Sequence, residues 1–152
     1  MSDILDAELI HAPQMAELHA ESFGSESWSL DQFRGSLALA TTRGWVTRDG
    51  PAYTGFILCQ VTAGEGDVLT LCVRPGWRRQ GVGERLLRHA LEHSFTGAGT
   101  YHLEVAFDNA AARRLYERCG FAVTATRRGY YRRGAVLVDG VSYRWQGAGM
   151  RA

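Results

Sequence analysis

Two hydrophobic periods alternate along this chain. Behind Pro13, which suits a first helical turn, Met15, Leu18, His19, Ser22 and Phe23 continue one helical face, and Gly24 closes the segment. Residues 8–11 precede it as a short expected strand. Ser29 with Gln32 three positions on makes a capping box that opens a second, short helix through Leu30, Phe33, Leu37 and Leu39. The period then shortens. Residues 44–47 and 52–61 read as strands about the turn Arg48-Asp49-Gly50-Pro51, and Gly64-Glu65-Gly66-Asp67 reads as the next turn. Residues 68–73 are almost continuously apolar, which predicts a fourth strand at the centre of a sheet. A helix follows to about residue 93, then a loop over 96–99 and an alternating strand over 101–105. Asn109 caps a helix that runs through Leu115 and Tyr116 to Cys119, where Gly120 stops it. Residues 121–126 and 136–145 are the last expected strands. Strand–helix alternation with hairpins at both ends predicts a mixed α/β fold, one domain over 1–146 with a flexible tail over 147–152.

Composition narrows the class. A chain of 152 residues is long enough to bury about two-thirds of its unfolded surface in a single domain. A formal net charge of +1 gives no general reason to bind nucleic acid or an anionic membrane, so neither is an expected partner. Charge is uneven locally: Arg127, Arg128, Arg132 and Arg133 cluster late in the chain, as a solvated surface or as the lining of an acidic partner's site. Cys59, Cys72 and Cys119 are odd in number and widely spaced, which reads as reduced, mostly buried thiols. No basic region followed by a long apolar run opens the sequence. No apolar run approaches the roughly 18 residues of a membrane span, so a cytoplasmic protein is expected. His89 and His93 lie four apart on a helix without a third ligand nearby in sequence, so no metal is expected.

The strongest chemical signal is Arg78-Arg79-Gln80-Gly81-Val82-Gly83-Glu84, at the point where strand 68–73 turns into a helix. A helix start leaves backbone N–H groups without intrahelical partners and carries partial positive charge, and glycine lets an anion approach them. The residues predict a phosphate-binding turn; a ligand-free glycine turn is the plain alternative. The Walker loop is excluded, because no Gly-Lys-Ser/Thr follows the glycines. The dinucleotide fingerprint needs a third glycine where Leu86 stands. A nucleophile elbow of the Gly-x-Ser-x-Gly kind is absent too.

The spacing Arg-x-x-Gly-x-Gly from Arg78 to Gly83 resembles the pyrophosphate loop of the GNAT superfamily of N-acetyltransferases. A second constellation resembles the motif that completes that family's coenzyme site: Leu103-Glu104-Val105, then Asn109-Ala110-Ala111-Ala112 through Tyr116 to Gly120-Phe121. Gly55-Phe56-Ile57-Leu58, Leu71-Cys72-Val73 and Arg128-Gly129-Tyr130-Tyr131 are similar to the RimI branch, which acetylates the N-terminal alanine of a small-subunit ribosomal protein. The resemblance covers residues 4–145. It implies a GNAT fold, a central twisted mixed sheet of about six to seven strands with about four helices. It places acetyl-coenzyme A as cosubstrate in the cleft between the fourth and fifth strands. It implies coenzyme contacts from Leu71, Cys72 and Val73, from Arg78, Arg79, Gln80, Gly81, Val82, Gly83 and Glu84, and from Asn109. Glu104 falls on the general base and Tyr116 on the general acid. Trp28, Tyr130 and Tyr131 fall beside the substrate groove. The implied acceptor is a protein or peptide N-terminus, a ribosomal protein among the candidates, attacked directly in a ternary complex.

The sequence departs from the branch in two places. Many members carry Asp-Ala and then an apolar stretch ending in methionine on the last strand, where this chain reads Asp139-Gly140-Val141-Ser142-Tyr143-Arg144-Trp145. A basic residue often follows the second loop glycine, where this chain has Glu84.

Chemistry supports the two catalytic positions independently. An amine must lose its proton before attacking a thioester, and an α-amine with pKa near 8 does so more readily than a lysine near 10.4. A carboxylate can accept that proton, and a phenol can return one to the leaving thiolate. On pattern alone Glu104 reads equally as the solvent-facing member of an alternating strand, and Tyr116 as a core aromatic. Asn109 is fully explained as an N-cap, and Trp28, Tyr130 and Tyr131 as packing. A lysine, polyamine or drug amine as acceptor, or a non-catalytic acyl-coenzyme A-binding module, remain open at this stage.

Overall fold

The elements run β1 (Asp3–Asp6), α1 (Ala12–Phe23), α2 (Leu30–Leu37), β2 (Thr42–Asp49), β3 (Ala52–Thr62), β4 (Glu65–Val73), α3 (Val82–His93), β5 (Thr100–Ala106), α4 (Ala110–Arg118), β6 (Ala122–Arg133) and β7 (Val136–Gln146). They come from a computed structural model that describes residues 3–96 and 99–147. The strands form one seven-stranded sheet in the order β1-β2-β3-β4-β5-β7-β6. Helices cover both of its faces, which is why the central strands are apolar without interruption. In β3, Phe56 and Leu58 pack with Met15, Leu18 and Phe33 of α1 and α2. The alternate residues Ile57 and Cys59 pack with Leu86, Leu87 and Ala90 of α3 and Tyr116 of α4.

Capping chemistry sets several boundaries as expected. Ser29 Oγ accepts the Gln32 N–H at 3.1 Å, and Gln32 Oε1 accepts the Ser29 N–H at 2.7 Å. The segment joining α1 to α2 is held by His19, whose Nδ1 accepts the Trp28 N–H at 3.0 Å.

The structure corrects four boundaries. Residues 9–11 form a 3-10 turn, not a strand, with Leu9 and Ile10 exposed; the first strand is β1, antiparallel to β2. Strand β4 begins at Glu65, inside the expected turn. Gly66 is there because the buried Tyr101 ring lies over it, 2.6 Å from where a Cβ would sit. Strand β6 continues through the arginines to Arg133. Gly147, expected in the tail, is buried and donates its N–H to Gly99 O at 2.8 Å, continuing the line of β7. Residues 97 and 98 of the expected loop and 148–152 of the expected tail lie outside the described residues.

The feature that makes a site is the β4–β5 seam. These parallel strands pair only at Glu65–Thr100, Gly66–Tyr101 and Asp67–His102. Beyond that the pairing stops, leaving the end of β4 with a strand partner on its β3 side alone.

Candidate active site

A cleft of about 1040 Å³ opens where β4 and β5 part. Leu69 to Val73 of β4 line one wall, and Glu104, Val105 and Ala106 of β5 the other. The start of α3 and the exposed face of α4 close one end; Phe23, Glu26 and the end of β6 border it elsewhere.

At the α3 end, Gly81 is the N-cap, in the left-handed region at φ 80°, and no side chain caps the helix. A Cβ built there meets nothing within 4 Å, so the approach to the first amides is open. Arg78, Arg79, Gly81, Val82, Gly83 and Glu84 all line the cleft. Arg78 is fixed from two sides, donating from Nε to Val73 O at 2.9 Å and from a terminal nitrogen to Ser22 Oγ at 3.3 Å. Glu84 brings a negative charge to a place that favours anions, yet Arg88 and Arg118 hold its carboxylate at 3.0 Å and 2.7 Å. Their hydrogen bonds, Arg88's first, keep its pKa below the usual carboxylate value. The departure at position 84 therefore leaves the helix start free for an anion and ties α3 to α4. Gln80 is not part of the lining; its side chain donates to Gly76 O at 3.2 Å.

On β4, Leu71 and Val73 lean toward the α3/α4 layer, whereas the Cys72 side chain is buried in the α1/α2 layer. Burial pushes the Cys72 thiol up to about 11. Asn109 lines the cleft and also caps α4, accepting the Ala112 N–H at 3.2 Å.

Glu104 and Tyr116 line the same cleft. Glu104 Oε1 is buried without a hydrogen-bond partner among the described residues, although the Arg127 guanidinium lies 3.5 Å from it. The other oxygen accepts from Ser142 Oγ at 3.4 Å. A buried polar atom without a hydrogen bond calls for a specific explanation, and a catalytic role is one. Gly140 makes the room: a Cβ there would stand 2.7 Å from Glu104 Oε1. Tyr116 is 8% exposed, between the Phe121 and Tyr143 rings, and burial pushes its phenol above the usual range, so it stays protonated.

Of the residues expected beside a substrate groove, only Tyr131 lines the cleft. Trp28 sits in the aromatic cluster of α1 and α2, its ring 5.3 Å from His19 and 5.4 Å from Phe33. Tyr130 is exposed, with the Arg127 guanidinium 5.0 Å from its ring centre. Arg132, from the arginine cluster read as a solvated surface or an acidic partner's lining, borders the cleft; so do Phe23, Glu26, Thr70 and Arg114, to which sequence reasoning gave no site role. Phe23 had a legible signal, an aromatic at the last position of an amphipathic helix; the others carried none.

A smaller cleft of about 320 Å³, lined by Asp6, Thr42, Arg43, Trp45, His89 and His93, shares no residue with the first. The two histidine rings stack at 4.0 Å, and no cluster of three potential metal ligands occurs among the described residues. No helix there is long and apolar enough to cross a membrane.

A sheet parted between two parallel strands, with a bare helix start at the seam, is the architecture of the acetyltransferase (GNAT) family, whose sequence profile matches residues 12–121. The chain belongs to that family and is an N-acetyltransferase; the family uses acetyl-coenzyme A. Within it, the chain is 36% identical over 126 residues to the N-alpha-acetyltransferase RimI of Mycobacterium tuberculosis, covering 80% of this chain and 78% of that protein. It is 34% identical over 105 residues to the ribosomal protein bS18-alanine N-acetyltransferase of Escherichia coli, covering 68% and 70%. It matches the crystal structure of the Escherichia coli ribosomal-protein-S18-alanine N-acetyltransferase with a TM-score of 0.88 at 25% identity, over the whole of both chains.

Proposed function

We propose that this acetyltransferase acts on the α-amine of a protein N-terminus, with both substrates held in the cleft together. The observation that carries the reading is the Glu104 carboxylate inside the parted seam, one buried oxygen of which accepts no hydrogen bond among the described residues and has the Arg127 guanidinium 3.5 Å away. The similarity to acetyltransferases of ribosomal N-termini supports the acceptor class, and a ribosomal protein is the first candidate. That role carries with it a cytoplasmic location.

The residues present fit acetyl-coenzyme A. The uncapped amides of Val82, Gly83 and Glu84 suit a diphosphate, with Gly81 leaving them accessible and Arg78 and Arg79 adding positive charge. The unpaired edge of β4 at Leu71, Cys72 and Val73 suits the amide-bearing arm, and Asn109 faces the same space. When bound, the coenzyme supplies an activated acyl group and a thiolate leaving group. Glu104 takes the proton of the incoming ammonium. Tyr116, held protonated by burial, offers its O–H to the departing sulfur. An acyl-enzyme at Cys72 is disfavoured, because a buried thiol pushed up to about 11 supplies little thiolate at neutral pH. Direct transfer follows. An α-amine suits this site better than a lysine, because a single carboxylate has less work to do on a group with pKa near 8 than on one near 10.4.

Mass spectrometry after incubation with acetyl-coenzyme A and panels of N-terminal peptides, lysine peptides and polyamines tests this. All 17 Lys/Arg positions of the chain are arginine, so self-acetylation of side-chain amines adds no background. Acetylation confined to α-amines is expected. Product only on lysines or polyamines would overturn the acceptor class, and no product on any amine would overturn the catalytic reading.

A further inference from the structure

The hairpin of β6 and β7 carries more charge than its packing requires. Strand β6 is an edge strand paired only with β7, and its side chains are exposed almost throughout. Four arginines stand on it. Two are neutralised from within: Arg127 lies 3.5 Å from Glu104, and Arg133 pairs with Asp108. Arg128 and Arg132 have no carboxylate within ion-pair distance among the described residues. Arg132 lines the cleft that Tyr131 and Glu104 also line.

Their setting is built. The β6–β7 register slips between Arg127 and Tyr131, a bulge that re-aims the side chains it contains. Gly129 turns the bulge at φ 60°, and its N–H donates to Asp139 Oδ1 at 2.8 Å. The cleft thus holds the Glu104 carboxylate, with Arg127 beside it, and the unneutralised guanidinium of Arg132, while Arg128 stands four residues earlier on the same strand and outside the lining. An acceptor of complementary charge starts with an ammonium and continues with carboxylates. Arginine suits the second part, because its planar fork grips a carboxylate with paired hydrogen bonds.

We infer that the preferred acceptor carries Asp or Glu within the first few residues after its N-terminal one, held by Arg132 at the cleft and then by Arg128 farther along β6. The inference rests on the α-amine reading above. The plainer role for charge on an edge strand is to prevent sheet-to-sheet pairing, which predicts no preference among acceptors.

Peptides with N-terminal alanine and acidic, neutral or basic residues at positions two to four separate these cases, with initial rates read from released coenzyme thiol. Acidic peptides should exceed basic ones in kcat/KM by about tenfold at low salt, the gap closing toward about 0.5 M salt. Arg132→Glu should reverse the order and Arg132→Lys should keep most of it; if Arg132→Glu does not fold, Arg128→Glu on the exposed bulge should shrink the gap several-fold. An equal or basic-favouring order in the wild type overturns the inference while leaving the α-amine reading intact. So does tight binding of a short RNA duplex that Arg128→Glu and Arg132→Glu abolish while peptide order stays flat. Acetylation of lysines or polyamines but of no peptide α-amine defeats the α-amine reading itself, and the inference with it.

Discussion

Glu104 stands where it does because Gly140 lacks a methyl group. The two residues lie on neighbouring strands, Glu104 opposite Ser142 in the β5–β7 register, and the carboxylate folds back over the glycine. Gly140 has no unusual backbone angle, so an alanine there is strained only by what it touches. The atom it meets first is the free end of the Glu104 side chain, which can swing away, but Tyr130 Cβ and Cδ2 at 3.2 Å must also give. Gly140→Ala should therefore cost about 1–2 kcal/mol of stability and move the proposed base out of place. The expected result is a fall in kcat of about 10- to 100-fold near pH 7 that shrinks above pH 8, where the amine deprotonates unaided. Glu104→Gln should give the same shape of pH profile and a deeper loss. A uniform loss across pH for both variants, or none, would remove Glu104 as the base. The sequence singled out Glu104 and Tyr116 through chemistry and resemblance. It had no means to show the space at Gly140, which two strands far apart in sequence create together.

At the scale of elements, α1 and α2 are joined by an aromatic cluster around His19 rather than by a long apolar interface. The ring is 3% exposed, and burial pushes its pKa down to about 4. The unfolded chain, with histidine near 6.5, binds more protons between those two values, so stability rises with pH across that window. Acidifying from pH 6.5 to pH 4 should cost stability from this group, at a slope of up to about 1.4 kcal/mol per pH unit. His19→Asn keeps an acceptor for the Trp28 N–H and removes the titration. The urea midpoints of wild type and variant should converge as pH falls, and a constant difference between pH 7 and pH 4.5 would refute the assignment. The capping boundaries of α2 and α4 were legible because a cap is a local event, made by residues three apart. Trp28 was not: a tryptophan beside a cap looks the same in sequence whether it lines a groove or packs on a histidine nine residues earlier.

Across the whole molecule, stability is uneven. Strands β3 and β4 are covered by helices on both faces, whereas β6 hangs on β7 alone with its side chains in solvent. Backbone amides of residues 122–133 should exchange with solvent faster than those of β3, fastest in the bulge between Arg127 and Tyr131. Hydrogen-exchange mass spectrometry checks this; protection in β6 equal to that in β3 would contradict it. An acceptor gripped by Arg128 and Arg132 should slow that exchange. Periodicity, caps and glycine turns were enough to specify the alternating elements, the central place of β4 and the bare start of α3, because each is encoded within a few neighbouring residues. Where β4 and β5 stop pairing, which buried carboxylate oxygen goes without a hydrogen bond, and which arginines are neutralised were decided only by the folded chain. Those outcomes depend on groups brought together from distant segments, whose mutual distances no local pattern carries.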